Sequence, residues 1–169
     1  MSGDPGVRVG VGLDVHPFAD GRALVIGGVT IPHERGLAGH SDADVLSHAI
    51  CDALLGAAAL GDIGRHFPDC DPAFRGISSL ELLRRTVALL GAAGWRPLQV
   101  DSCILAEAPR IAPHEGAMRQ AVADALSIPG GNVGIKATTT EGLGFVGRRE
   151  GIAAQAVCVI VRDPAGGAP

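Results

Sequence analysis

The order of strand-like and helix-like patterns is what most limits the folds open to this chain of 169 residues. Val7, Val9, Val11 and Leu13 alternate with Arg8 and with glycines, which is the period-two pattern of a strand with one apolar face. The later patterns predict a hairpin at 23–31, helices over 45–60, 79–93 and 113–126, and strands over 98–105, 132–137 and 152–161. This order, without a repeat or a linker, predicts a single α+β domain with a mixed β-sheet and helices packed on one face.

The same patterns predict the domain bounds and the helix starts. We expect a domain over 7–162 between disordered tails at 1–6 and 163–169. Two capping boxes, Ser41 to Asp44 and Ser78 to Glu81, predict where the first two helices begin. The face of the sheet without helices is expected to be apolar as well, which favours an oligomer.

The composition excludes several classes of partner. Apolar residues make up 47% of the chain and charged residues 19%, and the net charge is −4. That charge gives no general attraction to nucleic acid or to anionic membranes, and four Phe with one Trp and no Tyr do not form a base-stacking surface. Four Cys without C-x-x-C spacing, no apolar run of about 20 residues and no signal pattern predict a reduced, cytoplasmic protein with no nucleic-acid and no membrane partner.

Two short patterns offer ligands for a metal ion. Asp14 and His16 share one face at the end of the first predicted strand, and a carboxylate with an imidazole suits Zn²⁺, Mn²⁺ or Fe²⁺. Asp44, His48 and Asp52 share one face of the first predicted helix, where the two acids could also orient the imidazole. Each pattern equally fits a structural role, as a turn with a solvated His or as a polar helix face capped by Asp44.

Two further segments suit phosphate groups. His40-Ser41 precedes a predicted helix, where free N–H groups attract anions, although Ser41 could serve only as a cap. Residues 136–151 combine a Lys, three consecutive Thr, two Arg and several Gly, with Glu141 suited to a hard cation such as Mg²⁺, and a plain surface loop is the alternative. The G-x-G-x-x-G pattern at 142–147 precedes a predicted strand instead of a helix, which excludes a dinucleotide fold.

Two loops have weaker signals. Residues 61–69 place acids beside Gly and apolar residues, which suits sugar hydroxyls, although a helix end and a turn explain them equally well. Residues 106–111 follow a predicted strand, and their backbone could contact a base edge or merely connect two elements.

Taken together, these segments closely resemble the 2-C-methyl-D-erythritol 2,4-cyclodiphosphate synthase family. The match covers 7–161, and its specificity lies in several long motifs that occur in the right order. They are Gly12-Leu13-Asp14-Val15-His16, 26–32, His40-Ser41-Asp42-Ala43-Asp44-Val45 through His48, 53–64, Phe67-Pro68-Asp69, 136–145 and Gly147-Arg148.

The resemblance implies roles for individual residues. Asp14, His16 and His48 would bind one Zn²⁺ per subunit, and Glu141 would hold Mg²⁺ or Mn²⁺ with the substrate diphosphate. Asp62, Thr139 and Glu141 are the residues implied in catalysis. The implied substrate contacts are His40, Ser41, Asp62, Ile63, Gly64, Phe67, Asp69, Ala106, Pro109, Arg110, Ile111, Lys136, Thr138, Thr139, Phe145 and Arg148.

The implied activity is a metal-dependent, CMP-releasing lyase reaction of the non-mevalonate isoprenoid pathway. It cyclises 4-diphosphocytidyl-2-C-methyl-D-erythritol 2-phosphate to 2-C-methyl-D-erythritol 2,4-cyclodiphosphate. The family resemblance also implies a homotrimer with active sites between subunits, and isoprenoid diphosphate binding in its central cavity, where Gln155 replaces the Glu of some members. A non-catalytic binding module for metal-nucleotide or isoprenoid phosphate, and a metal phosphohydrolase, are the two alternative functions.

Overall fold

A mixed five-stranded sheet is the framework of the molecule in the computed structural model, which describes residues 6–163. The strands are β1 (Val7–Ala19), β4 (Gly36–Leu37), β5 (Trp95–Leu105), β6 (Val133–Thr138) and β7 (Gly151–Arg162), while β2 (Leu24–Ile26) and β3 (Val29–Ile31) form a separate hairpin. The order across the sheet is β4-β1-β7-β5-β6, and all neighbours are antiparallel except β5 and β6. The predicted α+β class and mixed sheet are confirmed.

Three long helices cover one face of this sheet, as predicted. They are α1 (Val45–Ala57), α3 (Ser79–Ala92) and α4 (Glu115–Leu126); the short helices α2 (Ile63–His66) and α5 (Gly144–Gly147) lie in connecting loops. Helix α1 packs on β1 and β7 and also against α3, so it is apolar and buried on nearly all sides. It is the central element of the core.

Small residues allow α1 to lie unusually close to β1. Gly10 and Gly12 face the helix, and a Cβ on either would overlap the carbonyl oxygen of Ala53 or Ala49. The high Gly and Ala content of the chain therefore serves backbone-to-backbone packing, which brings the end of β1 next to the middle of α1.

The opposite face of the sheet carries exposed apolar side chains. Val9, Val11 and Leu13 of β1 are 62%, 60% and 63% exposed, and Val157 of β7 extends the patch. Toward β5 and β6 the same face becomes polar, because Asp101 and Lys136 form an ion pair of 2.6 Å there. An uncovered patch of this kind marks an interaction surface.

The first predicted capping box is wrong, and the second marks the correct helix start without the expected side-chain hydrogen bond. Asp44 itself caps α1, since its carboxylate accepts from the backbone N–H groups of Leu46 and Ser47, while Ser41 lies outside the helix. Ser78 precedes α3 but its side chain makes no capping hydrogen bond. Short polar side chains near these helix starts are used for tertiary contacts, which the local pattern does not reveal.

Several element ends also differ from prediction. Helix α1 stops at Ala57 instead of near residue 60, because Ala59 takes a left-handed conformation with φ of 58°. Strand β1 continues to Ala19 because, after Pro17, its partner changes from β7 to β4. Strand β5 begins at Trp95, and a short 3-10 turn precedes α4.

The two predicted tails fall almost wholly outside the described residues. Of them only Gly6 and Asp163 are described: the Gly6 carbonyl accepts from Arg162 N–H and Asp163 N–H donates to the Gly94 carbonyl.

Among residues 6–163 no helix is long and apolar enough to cross a membrane. The four cysteines in this range form no disulfide, and burial raises the pKa of the Cys51 thiol to about 12.

Candidate active site

Three side chains converge where β1 passes the middle of α1. The Nε2 atom of His16 lies 2.9 Å from Oδ2 of Asp14 and 3.0 Å from Nδ1 of His48, and that Nδ1 lies 3.1 Å from the same carboxylate oxygen. Asp14 and His16 point toward the helix face of the sheet, and His48 comes from the helix itself. The structure thus joins the two metal-ligand patterns that the sequence places apart.

The outer nitrogen of each imidazole has its own partner. His16 Nδ1 lies 2.6 Å from the carbonyl oxygen of Ala38, to which it can only donate. His48 Nε2 lies 2.9 Å from the hydroxyl of Ser79. Neutral imidazoles with hydrogens on these outer nitrogens direct lone pairs inward, toward the carboxylate of Asp14. Three acceptors that face one point require a proton or a metal cation between them.

The charges of the triad are mutually dependent. Burial would raise the pKa of Asp14, but hydrogen bonds and charge attraction from His16 and His48 outweigh it, so the pKa lies well below its usual range. Burial likewise opposes the charged form of His16, yet Asp14 raises the pKa of His16 above 6.5. The site therefore favours positive charge beside the carboxylate.

The spacing of the three ligand atoms fits a tetrahedral ion. Zinc bonds to N and O of about 2.0–2.2 Å imply ligand-to-ligand edges of about 3.3–3.6 Å. The observed distances of 2.9, 3.0 and 3.1 Å need only a small outward movement to reach those edges. The residues fit a zinc ion with three protein ligands and one open position.

The triad opens into a cavity of about 320 Å³. Among the residues implied as substrate contacts, the lining includes His40, Ser41, Ile63, Gly64, Phe67 and Asp69. Asp62 does not line the cavity: it caps α2 by accepting from Arg65 N–H at 2.9 Å. One turn beyond His48 on α1, Asp52 accepts from Ile63 N–H at 2.8 Å and ties this loop to the helix.

The other implied contacts lie elsewhere on the chain. Ala106, Pro109, Arg110, Ile111, Thr138 and Thr139 line a second cavity of about 300 Å³, together with Glu107, Ala112 and Ala137. Phe145 lines an apolar pocket on the open face with Leu13 and Val15. Among residues 6–163, none from 106–148 lines the cavity of the metal triad. The implied contacts therefore lie in separate cavities of the chain.

The implied site residues Lys136, Glu141 and Arg148 do not line this second cavity, and each has a local partner. Glu141 accepts from the hydroxyl of Thr139 at 3.0 Å, and Arg148 pairs with Glu150 at 2.7 Å. Lys136 forms the ion pair with Asp101 and lines a neighbouring small cavity with Ile111. Because these pairs are exposed, the donors Thr139, Arg148 and Lys136 can leave their carboxylate partners for an anionic ligand at little cost in free energy.

The family model that describes the YgbB family matches residues 7–161, which is nearly the whole described chain. The chain belongs to the YgbB family. A relative in Syntrophobacter fumaroxidans, named 2-C-methyl-D-erythritol 2,4-cyclodiphosphate synthase, is 59% identical over 157 residues, which are 93% of this chain and 99% of the relative.

Solved structures agree with this YgbB assignment. A 2C-methyl-D-erythritol-2,4-cyclodiphosphate synthase in its CDP-bound form is 37% identical with a TM-score of 0.83, over 90% of this chain and 99% of that one. The bifunctional IspDF from Campylobacter jejuni is 40% identical with a TM-score of 0.89, over 92% of this chain but 42% of that longer one. The resemblance inferred from sequence motifs is confirmed.

Sequence patterns misassigned or missed several residues of this YgbB chain. Asp44 contacts His48 only through the backbone, since its carbonyl accepts from His48 N–H at 3.1 Å; its buried carboxylate accepts from the N–H groups of Gly27 and Gly28. Ser79 contacts His48, and Asp42 contacts Ser79, yet the sequence pattern at both residues indicates only a helix cap. Glu107 accepts from the Thr140 and Gly142 N–H groups, and no local pattern indicates a contact across 33 residues.

Proposed function

We propose that this chain is a cytoplasmic phosphorus–oxygen lyase that cyclises 4-diphosphocytidyl-2-C-methyl-D-erythritol 2-phosphate and releases CMP. The product is 2-C-methyl-D-erythritol 2,4-cyclodiphosphate, an intermediate of non-mevalonate isoprenoid synthesis. The observation that carries the proposal is the Asp14, His16, His48 triad in the lining of a cavity, in a chain 59% identical to a relative of that name.

The triad would hold Zn²⁺, and Glu141 would hold Mg²⁺ or Mn²⁺ with the diphosphate. The donor sets support this division, because imidazole nitrogens suit zinc and a lone carboxylate suits a hard cation. When bound, the two ions would reduce the repulsion between phosphate groups and stabilise the charge that develops on the transferring phosphoryl group.

The residues around the first cavity would hold the acyclic part of the substrate. His40 and Ser41 line it and would bind the 2-phosphate. Ile63 and Gly64, which also line it, and Asp62, which caps the short helix that carries them, would contact the methylerythritol hydroxyls. Bending the substrate brings its 2-phosphate oxygen toward the β-phosphorus, and such positioning accounts for much of the rate of a ring closure. Since the attacking phosphate is already an anion, no general base is needed.

The second cavity and the neighbouring loop would hold the cytidine diphosphate. Thr138 and Thr139 would donate to the diphosphate, with Thr139 and Glu141 nearest the reacting phosphorus. The backbone of 106–111, with Lys136, would contact the cytosine and ribose. This assignment is supported by the cavity that Ala106, Pro109, Arg110 and Ile111 form with the two threonines.

Because the triad cavity and the second cavity are separate within one chain, we propose that the complete site forms between subunits of a homotrimer. The exposed apolar side chains of β1 and β7 would form the contact, with Gln155 beside the central cavity. Binding of an isoprenoid diphosphate in that cavity, near Gln155 and Arg148, stays a prediction.

A substitution on the open face of the sheet tests the trimer. Val11→Lys should give monomers in sedimentation and lose activity, whereas Ala88→Lys on the exposed side of α3 should do neither.

Phosphorus NMR tests the reaction itself. The purified protein, loaded with Zn²⁺ and Mg²⁺, is incubated with 4-diphosphocytidyl-2-C-methyl-D-erythritol 2-phosphate. Cyclic diphosphate together with CMP is the expected result. Orthophosphate release would replace the proposal with a phosphohydrolase, and retained substrate binding without turnover would replace it with a binding module.

A further inference from the structure

A pair of polar side chains stands behind His48, on the side away from the triad. The Nε2 atom of His48 lies 2.9 Å from the hydroxyl oxygen of Ser79, the first residue of α3. That hydroxyl in turn donates a short hydrogen bond to the carboxylate of Asp42. Ser79 is fully buried, so water does not compete for these bonds.

The chemistry of the pair fixes the direction of each hydrogen bond. An ionised carboxylate can only accept, so the hydrogen of the Ser79 hydroxyl points to Asp42. The lone pairs of the same oxygen are then left for an N–H donor, and His48 Nε2 is the nearest one. This arrangement keeps the hydrogen of His48 on Nε2 and leaves the lone pair of Nδ1 facing Asp14 and His16.

We propose that Ser79, oriented by Asp42, is the positioning residue that makes His48 a metal ligand. The inference rests on the metal role proposed for the triad and adds how one ligand acquires its tautomer and ring orientation. A hydrogen-bonded partner on the outer nitrogen also makes an imidazole a stronger donor to the metal.

Ser41 also approaches His48 Nε2, at 3.1 Å, but its environment differs from that of Ser79. Ser41 lines the cavity, and its oxygen already accepts from Ala43 N–H. Ser79 does not line the cavity, and its backbone N–H is bound by Asp42 at 3.0 Å. The hydroxyl of Ser41 is thus available to a phosphate, while Ser79 stays on the imidazole.

Asp42 is held in place independently of His48. Its backbone N–H donates to the Ile77 carbonyl at 3.1 Å, so the segment carrying His40 and Ser41 is attached to the start of α3. A purely structural function of the Ser79–Asp42 pair would be this attachment alone. The two functions are separable, because only the positioning function changes the electronic environment of a metal ion at the triad.

The test measures the metal directly in Ser79→Ala and Asp42→Asn. Zn²⁺ affinity is determined by competition with a chelator, and the visible absorption spectrum is recorded with Co²⁺ in place of Zn²⁺. We expect both variants to bind Zn²⁺ about 10- to 100-fold more weakly and to shift the Co²⁺ bands. Ser79→Thr, which keeps the hydroxyl, should restore both properties, and Ser102→Ala, which removes a buried hydroxyl on β5, should leave both unchanged.

The outcomes separate this inference from the proposed function. The positioning role alone would be overturned if Ser79→Ala and Asp42→Asn kept wild-type Zn²⁺ affinity and an unchanged Co²⁺ spectrum while His48→Ala bound Zn²⁺ more weakly. Unweakened binding in His48→Ala would overturn the metal assignment itself. If Ser79→Ala does not fold, Asp42→Asn decides, because it keeps the size of the side chain and removes only the charged acceptor.

Discussion

Gly12 on β1 lies against the carbonyl oxygen of Ala49 on α1, so closely that a Cβ at Gly12 would overlap it. Asp14 and His16 follow two and four residues after Gly12, and His48 immediately precedes Ala49. The contact between this glycine and this carbonyl therefore sets the distance across which the three ligands meet.

Replacing Gly12 by Ala should move α1 away from β1. We expect a loss of about 1–3 kcal/mol of unfolding free energy, typical of an overfilled core, together with weaker Zn²⁺ binding. Urea unfolding and chelator competition measure the two effects. Gly56→Ala on the same helix is the control, because nothing lies within 4 Å of its Cβ; it should keep the metal and gain up to about 1 kcal/mol. Unchanged metal affinity in Gly12→Ala would refute the link.

His48→Ala should remove zinc and activity while leaving the proposed trimer intact, since His48 faces the cavity and not the open face of the sheet. We expect less than one-tenth of the wild-type zinc and a loss of kcat/KM of about 10³-fold or more. Elemental analysis and initial rates give these values. His33→Gln is the control: its imidazole hydrogen-bonds to Arg35 and stacks on Phe18 outside the cavity lining, so it should keep zinc and activity. Full zinc content in His48→Ala would contradict the assignment.

Asp44→Ala should strongly destabilise the fold, although it removes none of the three ligands of the triad. The fully buried carboxylate accepts from the N–H groups of Gly27, Gly28, Leu46 and Ser47, which would all lose their partner. We expect a loss of about 3 kcal/mol or more in urea unfolding. Asp71→Ala, which removes an exposed cap, should cost under about 1 kcal/mol. Equal losses in the two variants would refute this account of Asp44.

The stabilities of the metal-free and zinc-loaded proteins should depend on pH in different ways. In the metal-free protein the raised pKa of His16 adds stability that is fully present below 6.5 and is lost as pH rises through the raised value. The lowered pKa of Asp14 adds stability that is present above 3.8 and is lost as pH falls through the lowered value. Zinc needs His16 unprotonated, so the stability that zinc adds grows as pH rises toward the raised pKa of His16 and then levels off.

Thermal unfolding of chelator-treated and zinc-loaded protein, at pH values from about 5.5 to 8, checks this prediction. The difference in Tm between the two forms should widen with pH, and His16→Gln should flatten the pH dependence of the metal-free form. A gap that narrows as pH rises would contradict the prediction.

Glu107→Ala should weaken substrate binding because its side chain holds a neighbouring loop in place. Its Oε1 atom accepts from Thr140 N–H at 3.0 Å and from Gly142 N–H at 3.2 Å, which fixes the loop that carries Thr139 and Glu141. We expect a higher KM and a lower kcat with unchanged zinc at the triad. Glu107→Gln keeps an acceptor oxygen and should recover most of the loss. A wild-type KM in Glu107→Ala would remove this residue from the site.

How far the sequence predicts this molecule depends on the range of the interaction. Strand β1 and helix α1 have periodic apolar residues, and the turns at Gly27-Gly28 and Gly94 follow from local chemistry. The structure contains these two elements and these turns. It also brings Asp14, His16 and His48 together, as the family motifs imply.

The errors occur where a polar side chain serves a distant partner. Ser41 and Asp44 match a capping box, yet Asp44 is used by Gly27 and Gly28 as well as by its helix. Ser79 lies in a second apparent box, but its hydroxyl contacts His48, which is 31 residues away. Local propensity cannot distinguish a cap from such a contact, because both require the same short polar residue.

Because β1 and α1 each supply part of the triad, the ion would bind the folded chain and not the unfolded one. By mass action, a free metal concentration 100 times its dissociation constant adds about 2.7 kcal/mol to the folded state. Proteases attack the open chain, so the lifetime of the protein would rise and fall with the supply of the ion. A cell short of zinc would then lose this step of its metabolism twice, through inactive subunits and through their faster degradation.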